Sequence, residues 1–345
     1  MSDRERFHAE ELVIVMSHFD IGVISSVKEF PRGSRRAPKL LITSERGEFL
    51  LKRRARGKDD PFKVAFSHAL QLYLASKQFP LPHLIGTHQD NNSMLQHNNN
   101  VYELFEYVRG NNYDNSLEAT FDSGKALGLY HKLVRDYAPE FEPPVGSYHH
   151  SNSTTAAMDQ LPITFDKLDH RHTEEQITAT TSFLQGAYRE ASEKVDAAGL
   201  NEWPTQIVHC DWHPGNMLFR HRKVVAVIDY DAARLQQRII DLANGALQFS
   251  ILGGSEDPGQ WPDYLDERRF KRFIRGYDEI DVVSVAELQI IPWLMIEAMV
   301  AESVLPVATT GSFGRLEGFG FLQMIERKVR WVQKNIAHLI AAVGT

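Results

Sequence analysis

The stretch from Ile207 to Ala232, IVHCDWHPGNMLFRHRKVVAVIDYDA, concentrates the chemistry of this chain. Around it, Gln206–His209, Asn216–Phe219 and Val224–Ile228 read as short apolar strands joined by tight loops. His209, Asp211, Asn216, Asp229 and Asp231 fall on those loops and strand ends. Asn216 and Asp229 offer oxygen ligands from adjacent strands, which suits hard Mg²⁺ that also bridges phosphates. Asp211 precedes Asn216 by five residues. A loop of that length can set its carboxylate at the metal's edge, to accept or orient a hydroxyl proton in phosphoryl transfer.

Each residue alone has a plainer role: loop aspartates and asparagines form turns, and a single histidine packs. The joint spacing favours chemistry. His209, Asp211 and His213 also spell His-x-Asp-x-His, a zinc or iron pattern. That reading leaves Asn216, Asp229 and Asp231 without a task. The other paired histidines, His149/His150 and His170/His172, lie in the polar stretch from Glu140 to His172 and are expected at the surface.

Upstream, the apolar spacing of Phe7–Phe19 predicts a helix ended by Asp20-Ile21-Gly22. Strands are predicted over Gly22–Phe30, Lys39–Ser44 and Gly47–Arg53, then a helix over Val64–Ser76. Leu84–His88 and Val101–Val108 are expected to be strands flanking an Asn-rich tip from Asp90 to Asn100. From Asn111 the pattern becomes helical, with helices predicted over Leu117–Tyr137, Thr173–Ala198, Arg238–Leu252, Glu267–Asp278, Val285–Val307 and Gly318–Val343. A small β-rich part thus precedes a larger helical one.

In 345 residues, 43 % are hydrophobic and 24 % charged, which excludes a disordered or fibrous chain. One cysteine, Cys210, excludes an internal disulfide and suggests the cytoplasm. The charged N-terminus has no apolar signal-peptide core, and Leu288–Val307, interrupted by Pro292, Glu297 and Glu302, reads as a buried helix rather than a membrane span. The net charge of −7 argues against nucleic acid as a partner. It is uneven: Lys28–Lys58 holds eleven basic and three acidic residues, so this window is +8 and the remainder −15.

VHCDWHPGNMLF, followed by VAVIDYDAARLQQRIIDLA, resembles the aminoglycoside phosphotransferase and choline kinase-like family, the small-molecule branch of the protein-kinase fold. The resemblance covers nearly the whole chain, and FDIGVISSVKEFPRGS leans towards homoserine kinase-like and spore-coat kinase-like members. It implies an α+β, protein-kinase-like two-lobe fold. Residues 1–108 would form an N-terminal nucleotide-binding lobe, a small antiparallel sheet with one helix. Residues 109–345 would form a mainly α-helical catalytic and acceptor-binding lobe, with ATP between the two.

By the same resemblance Asp211 is the catalytic base, His209 braces its loop, and Asn216 and Asp229 bind Mg²⁺. Asp231, Trp212 and His213 belong to the acceptor side, Asp231 near the pocket or the metal. GEFLLKRR resembles the third kinase strand, so Lys52 would contact the α- and β-phosphates. Backbone N–H groups of Gly33 and Ser34 would approach phosphate, and Glu106, Tyr107 and Val108 in YELFEYVRG would meet adenine.

Three departures stand out. Cys210 replaces the family's glycine in His-Gly-Asp. Val64–Ser76 lacks the glutamate that pairs with the strand lysine, leaving His68 or Gln71 as substitutes. The phosphate loop has one glycine. The implied activity is ATP- and Mg²⁺-dependent phosphoryl transfer to a hydroxyl of a small molecule, neutral or cationic. The alternative is a kinase-fold binding or structural protein without turnover.

Overall fold

Alternating apolar and polar residues in the first hundred positions build one antiparallel sheet. The computed structural model describes residues 4–168 and 172–344; His170 lies outside them. The strands are β1 (Ile24–Glu29), β2 (Lys39–Ser44), β3 (Gly47–Arg53), β4 (Leu95–His97) and β5 (Asn100–Glu106), in the order β1-β2-β3-β5-β4. Leu40, Ile42, Phe49, Leu51, Tyr102 and Leu104 point to one face. There they pack with Val15 and Met16 of α1 (Ala9–Met16) and with Phe19 and Ile21. The opposite face carries a charged row, because Lys39 pairs across the ladder with Lys52, and Lys52 with Glu103.

Helix α2 (Pro61–Ser76) starts with Asp60, whose carboxylate accepts the Phe62 N–H, and Pro61, which lacks a donor in the first turn where none is needed. The expected strand Leu84–His88 is reduced to contact points: Leu84 bridges Phe105 and the Ile85 N–H reaches the Leu104 carbonyl. Pro80 and Pro82 remove two donors just before it. The hairpin instead uses Leu95–His97 and turns at Asn98 and Asn99, both at positive φ (47° and 59°).

By contacts, residues 216–233 and 136–144 group with the chain up to Asn112, although the sequence boundary after 108 assigns them to the second lobe. The hairpin Met217–Arg220/Lys223–Val227 is fastened to this unit by the Val227 N–H on the Pro80 carbonyl and by a bridge between Asn111 and Phe219.

The second unit is built from α3 (Leu117–Val134), α4 (Asn152–Leu168), α5 (Glu174–Ala197), α6 (Arg238–Ser250), α7 (Glu267–Asp278), α8 (Val285–Thr310) and α9 (Gly318–Val343). A two-stranded ladder, Thr205–Val208 with Arg234–Gln237, belongs to it. Helix α4 falls where only a polar connection was expected. Thr154, Met158, Leu161 and Phe165 bury one helical stripe, but Pro162 and the polar residues between mask that periodicity. Among the described residues, one helix, α8, has the length and apolarity to cross a membrane, and 78 % of its most apolar window is buried in the fold.

Candidate active site

In the first unit, β3 and β5 bring their charged residues to one point. Lys52 Nζ lies 3.4 Å from Glu103 Oε2 and 3.8 Å from Asp231 Oδ2. Arg54 bridges the same two acids, 2.8 Å from Glu103 Oε1 and 2.7 Å from Asp231 Oδ1. From α2, His68 sets Nε2 2.7 Å from Glu103 Oε1, while its Nδ1 meets Ser93 Oγ at 2.9 Å. Burial works against the Glu103 carboxylate, but Lys52, His68 and Arg54 hold it well below the usual range. Burial likewise opposes the Lys52 charge, and Glu103 with Asp231 more than offset it, raising the ammonium above its ordinary value.

This cluster explains the acid missing from α2. The lysine's carboxylate comes from the neighbouring strand, and α2 contributes the histidine that orients it. Glu103 and Arg54 are absent from the sequence expectation. The available signal was an acid inside the apolar strand Val101–Phe105, since a buried acid demands a partner.

Asn216 and Asp229 flank the strands of the 217–227 hairpin. The Ile228 N–H bonds the Asn216 carbonyl at 2.9 Å, which brings Asp229 beside Asn216 along the ladder. Asp229 adopts φ 67°, a left-handed conformation uncommon for a residue with a side chain. Among the described residues its carboxylate makes no hydrogen bond or close ion pair. An exposed carboxylate one residue beyond the backbone contact to Asn216 suits a hard divalent cation, which prefers oxygen ligands. Asp231, expected on the acceptor side, belongs instead to the Lys52–Arg54 cluster, because the turn Tyr230–Ala232 reverses it towards β3.

Gly33 and Ser34 form an exposed turn between β1 and β2, with Gly33 at φ 88°. Of the adenine-edge candidates, Glu106 and Tyr107 commit their N–H groups to the carbonyls of His83 and Glu48. Val108 follows where the strand ends.

In the second unit, Asp241 of α6 organises the loop after Val208. Its carboxylate accepts the N–H groups of His209 (2.8 Å) and Cys210 (3.0 Å) and faces His131 Nε2 at 3.2 Å. Burial tends to raise this acid, but His131 and His209, the latter through its ring and its N–H, hold it low. Cys210 stands at φ 61°, which explains why a glycine suits this position; cysteine there costs about 1–2 kcal/mol.

The Asp211 N–H reaches His209 Nδ1 at 3.3 Å, so that ring nitrogen is an acceptor. Asp211 keeps its side chain 44 % exposed, with His213 Nε2 3.5 Å away. Trp212, expected on the acceptor side, is fully buried against Tyr130 and His209. His149, expected at the surface, is tied to Glu297 (2.9 Å) and Asp196 (3.2 Å), while His150 is exposed. His172 packs on Phe319. Among the described residues no cluster of three His, Cys, Asp or Glu side chains could hold a metal, so the His-x-Asp-x-His pattern lacks the further ligands a zinc site needs.

A cavity of about 250 Å³ in this unit is lined by Tyr148, Cys210, Gln236, Asn244 and Glu302, among others. Glu302 accepts hydrogen bonds from Asn244 Nδ2 (2.8 Å) and Gln248 Nε2 (2.6 Å). Burial pushes its carboxyl up to about 7, and the Asp211 charge adds to this against the two amides. Asn244 Oδ1 and Gln236 Oε1 are buried without a hydrogen bond.

Residues 26–281 match the family model of the phosphotransferase enzyme family, APH. The chain belongs to this family. No curated protein sequence matches it. Its fold is protein-kinase-like, as in three solved structures. The microcompartment-associated aminopropanol kinase aligns with TM-score 0.68 and 13 % identity, over 95 % of this chain and 98 % of that one. Choline kinase from Cryptosporidium parvum Iowa II gives 0.66 and 11 %, over 98 % and 99 %. Amicoumacin kinase in complex with AMP-PNP, Ca²⁺ and Ami gives 0.66 and 11 %, over 96 % and 94 %. At such identities the likeness concerns the fold; the phosphotransferase chemistry rests on the family match.

Proposed function

We propose that this phosphotransferase moves the γ-phosphate of ATP to a hydroxyl of a small molecule, with Mg²⁺ as the metal. The observation that carries the reading is the Lys52–Glu103 pair: the strand lysine has a buried carboxylate held by His68, which supports turnover over a scaffold. In this reading Lys52 steadies the phosphates, turn N–H groups of Gly33 and Ser34 approach them, and Val108 offers its backbone to adenine. Asn216 and Asp229 supply the oxygen ligands, and a divalent cation there would neutralise charge on the β- and γ-phosphates.

Asp211 accepts or orients the acceptor hydroxyl's proton. His209 and Asp241 fix its loop through three backbone N–H groups. Beside it in sequence, Cys210 lines the cavity that we assign to the acceptor. The cavity is lined by the polar side chains of Tyr148, Gln236, Asn244 and Glu302, so an amino alcohol or a sugar complements it better than an anion. One cysteine in the chain fits a cytoplasmic setting.

The test is a screen of hydroxyl metabolites, neutral, cationic and anionic, following ADP release with Mg²⁺. Turnover should be greatest with a neutral or cationic acceptor. A strongly anionic winner would contradict the cavity assignment, and ATP binding without transfer to any acceptor would favour a scaffold.

A further inference from the structure

A row of charge crosses three strands: Lys39 on β2 lies directly opposite Lys52 on β3, which lies directly opposite Glu103 on β5. Like charges placed directly opposite on one face are destabilising. Lys52 is compensated by Glu103 and Asp231. Lys39 is not: among the described residues it makes no ion pair or side-chain hydrogen bond, although it is half-buried. Its Nζ lies under the Gly33 turn, where a Cβ on Gly33 would come within 2.9 Å of it.

Three other cations of the basic window do have carboxylate partners. Arg46 meets Asp20, Arg53 meets Glu5 and Glu11, and Arg54 meets Glu103 and Asp231. Burial and the Lys52 charge push the Lys39 ammonium below its ordinary value, while Asp229, Glu103 and Asp231 act the other way without contacting it.

We propose that Lys39 and Lys52 form a two-lysine cradle for a polyphosphate, closed above by the backbone of the Gly33 turn. The anion supplies the negative charge that the row lacks. This deepens the nucleotide reading and rests on it for the identity of the polyphosphate as that of ATP. Lys39 is then a specificity residue for phosphate-chain length, since a nucleotide monophosphate is too short to supply Lys39 with an anionic partner.

The experiment measures binding of ATP, AMP and inorganic tripolyphosphate to the full chain with Mg²⁺, for wild type, Lys39→Met and Lys39→Arg. Lys39→Met should weaken ATP and tripolyphosphate by roughly 10- to 100-fold, the scale of a hydrogen bond to a charged group, and leave AMP unchanged. Lys39→Arg should restore most of the loss. Without ligand, Lys39→Met should melt at the same temperature as wild type or higher, because it relieves the opposed charges.

Equal ATP affinity in wild type and Lys39→Met would overturn the cradle and leave the nucleotide reading intact. A lower melting temperature with ATP and AMP weakened alike would make Lys39 structural and also overturn it. Wild type that binds tripolyphosphate but not ATP would keep the cradle and sink the nucleotide reading. Wild type that binds neither would sink both.

Discussion

Glu302 shows what a single buried acid does to this fold. Its carboxyl is raised from 4.5 to about 7, so the native state holds a proton that the unfolded chain releases near pH 4.5. Stability from this residue is therefore full below pH 4.5 and falls as pH rises towards 7, by about 3 kcal/mol in all. Denaturant unfolding at pH 4.5 and pH 7.5 should show Glu302→Gln losing less stability than wild type across that interval. Identical pH slopes would show that Glu302 is not buried as described.

At this scale the spacing of the sequence singles out Asp211, Asn216 and Asp229 as candidates. It did not carry Glu103. That residue meets Lys52 through strand register, about fifty positions along the chain, and an α2 histidine completes the group. Trp212 also escaped: its place in the motif suggested a site, while its indole fills the core between Tyr130 and His209.

Elements are positioned by where backbones approach. Helices α3 and α7 cross at glycines: a Cβ on Gly124 would overlap the Phe273 carbonyl oxygen, and one on Gly276 the Phe121 carbonyl oxygen. This crossing supports His131, whose Nδ1 meets the Tyr277 hydroxyl at 2.8 Å and whose other nitrogen faces Asp241. Gly124→Ala should destabilise the chain by about 1–3 kcal/mol, as overpacking against rigid backbone does. It should also reduce turnover by disturbing the Asp241 brace. A melting temperature unchanged from wild type would refute the close crossing. The helical period of α3 and α7 was legible; their glycine contact was not, since nothing local distinguishes a packing glycine from a turn former. Helix α4 was missed for the opposite reason: a valid apolar stripe lay hidden among polar residues and a proline.

For the whole molecule, the net charge of −7 conceals a +8 window. The structure shows that window to be partly neutralised within its own unit, by Glu5, Glu11, Asp20, Glu103 and Asp231. Within that window Lys39 keeps its ammonium beneath the Gly33 turn with no ion pair among the described residues. The acceptor preference proposed above rests on the cavity at Glu302 more than on bulk charge. The family and the α+β kinase-like class were readable from residues 208–219 and 225–243, while the partners of Lys52 and of the loop after Val208 required strand register and helix crossing.

The central claim is that Asp211 serves transfer and not nucleotide binding. The most direct measurement compares wild type and Asp211→Asn for Mg-ATP affinity and, with an accepted substrate, ADP release. Turnover should fall by about 10²–10⁴-fold, with Mg-ATP affinity changed by no more than roughly twofold. Loss of Mg-ATP binding in Asp211→Asn, or turnover equal to wild type, would contradict the assignment.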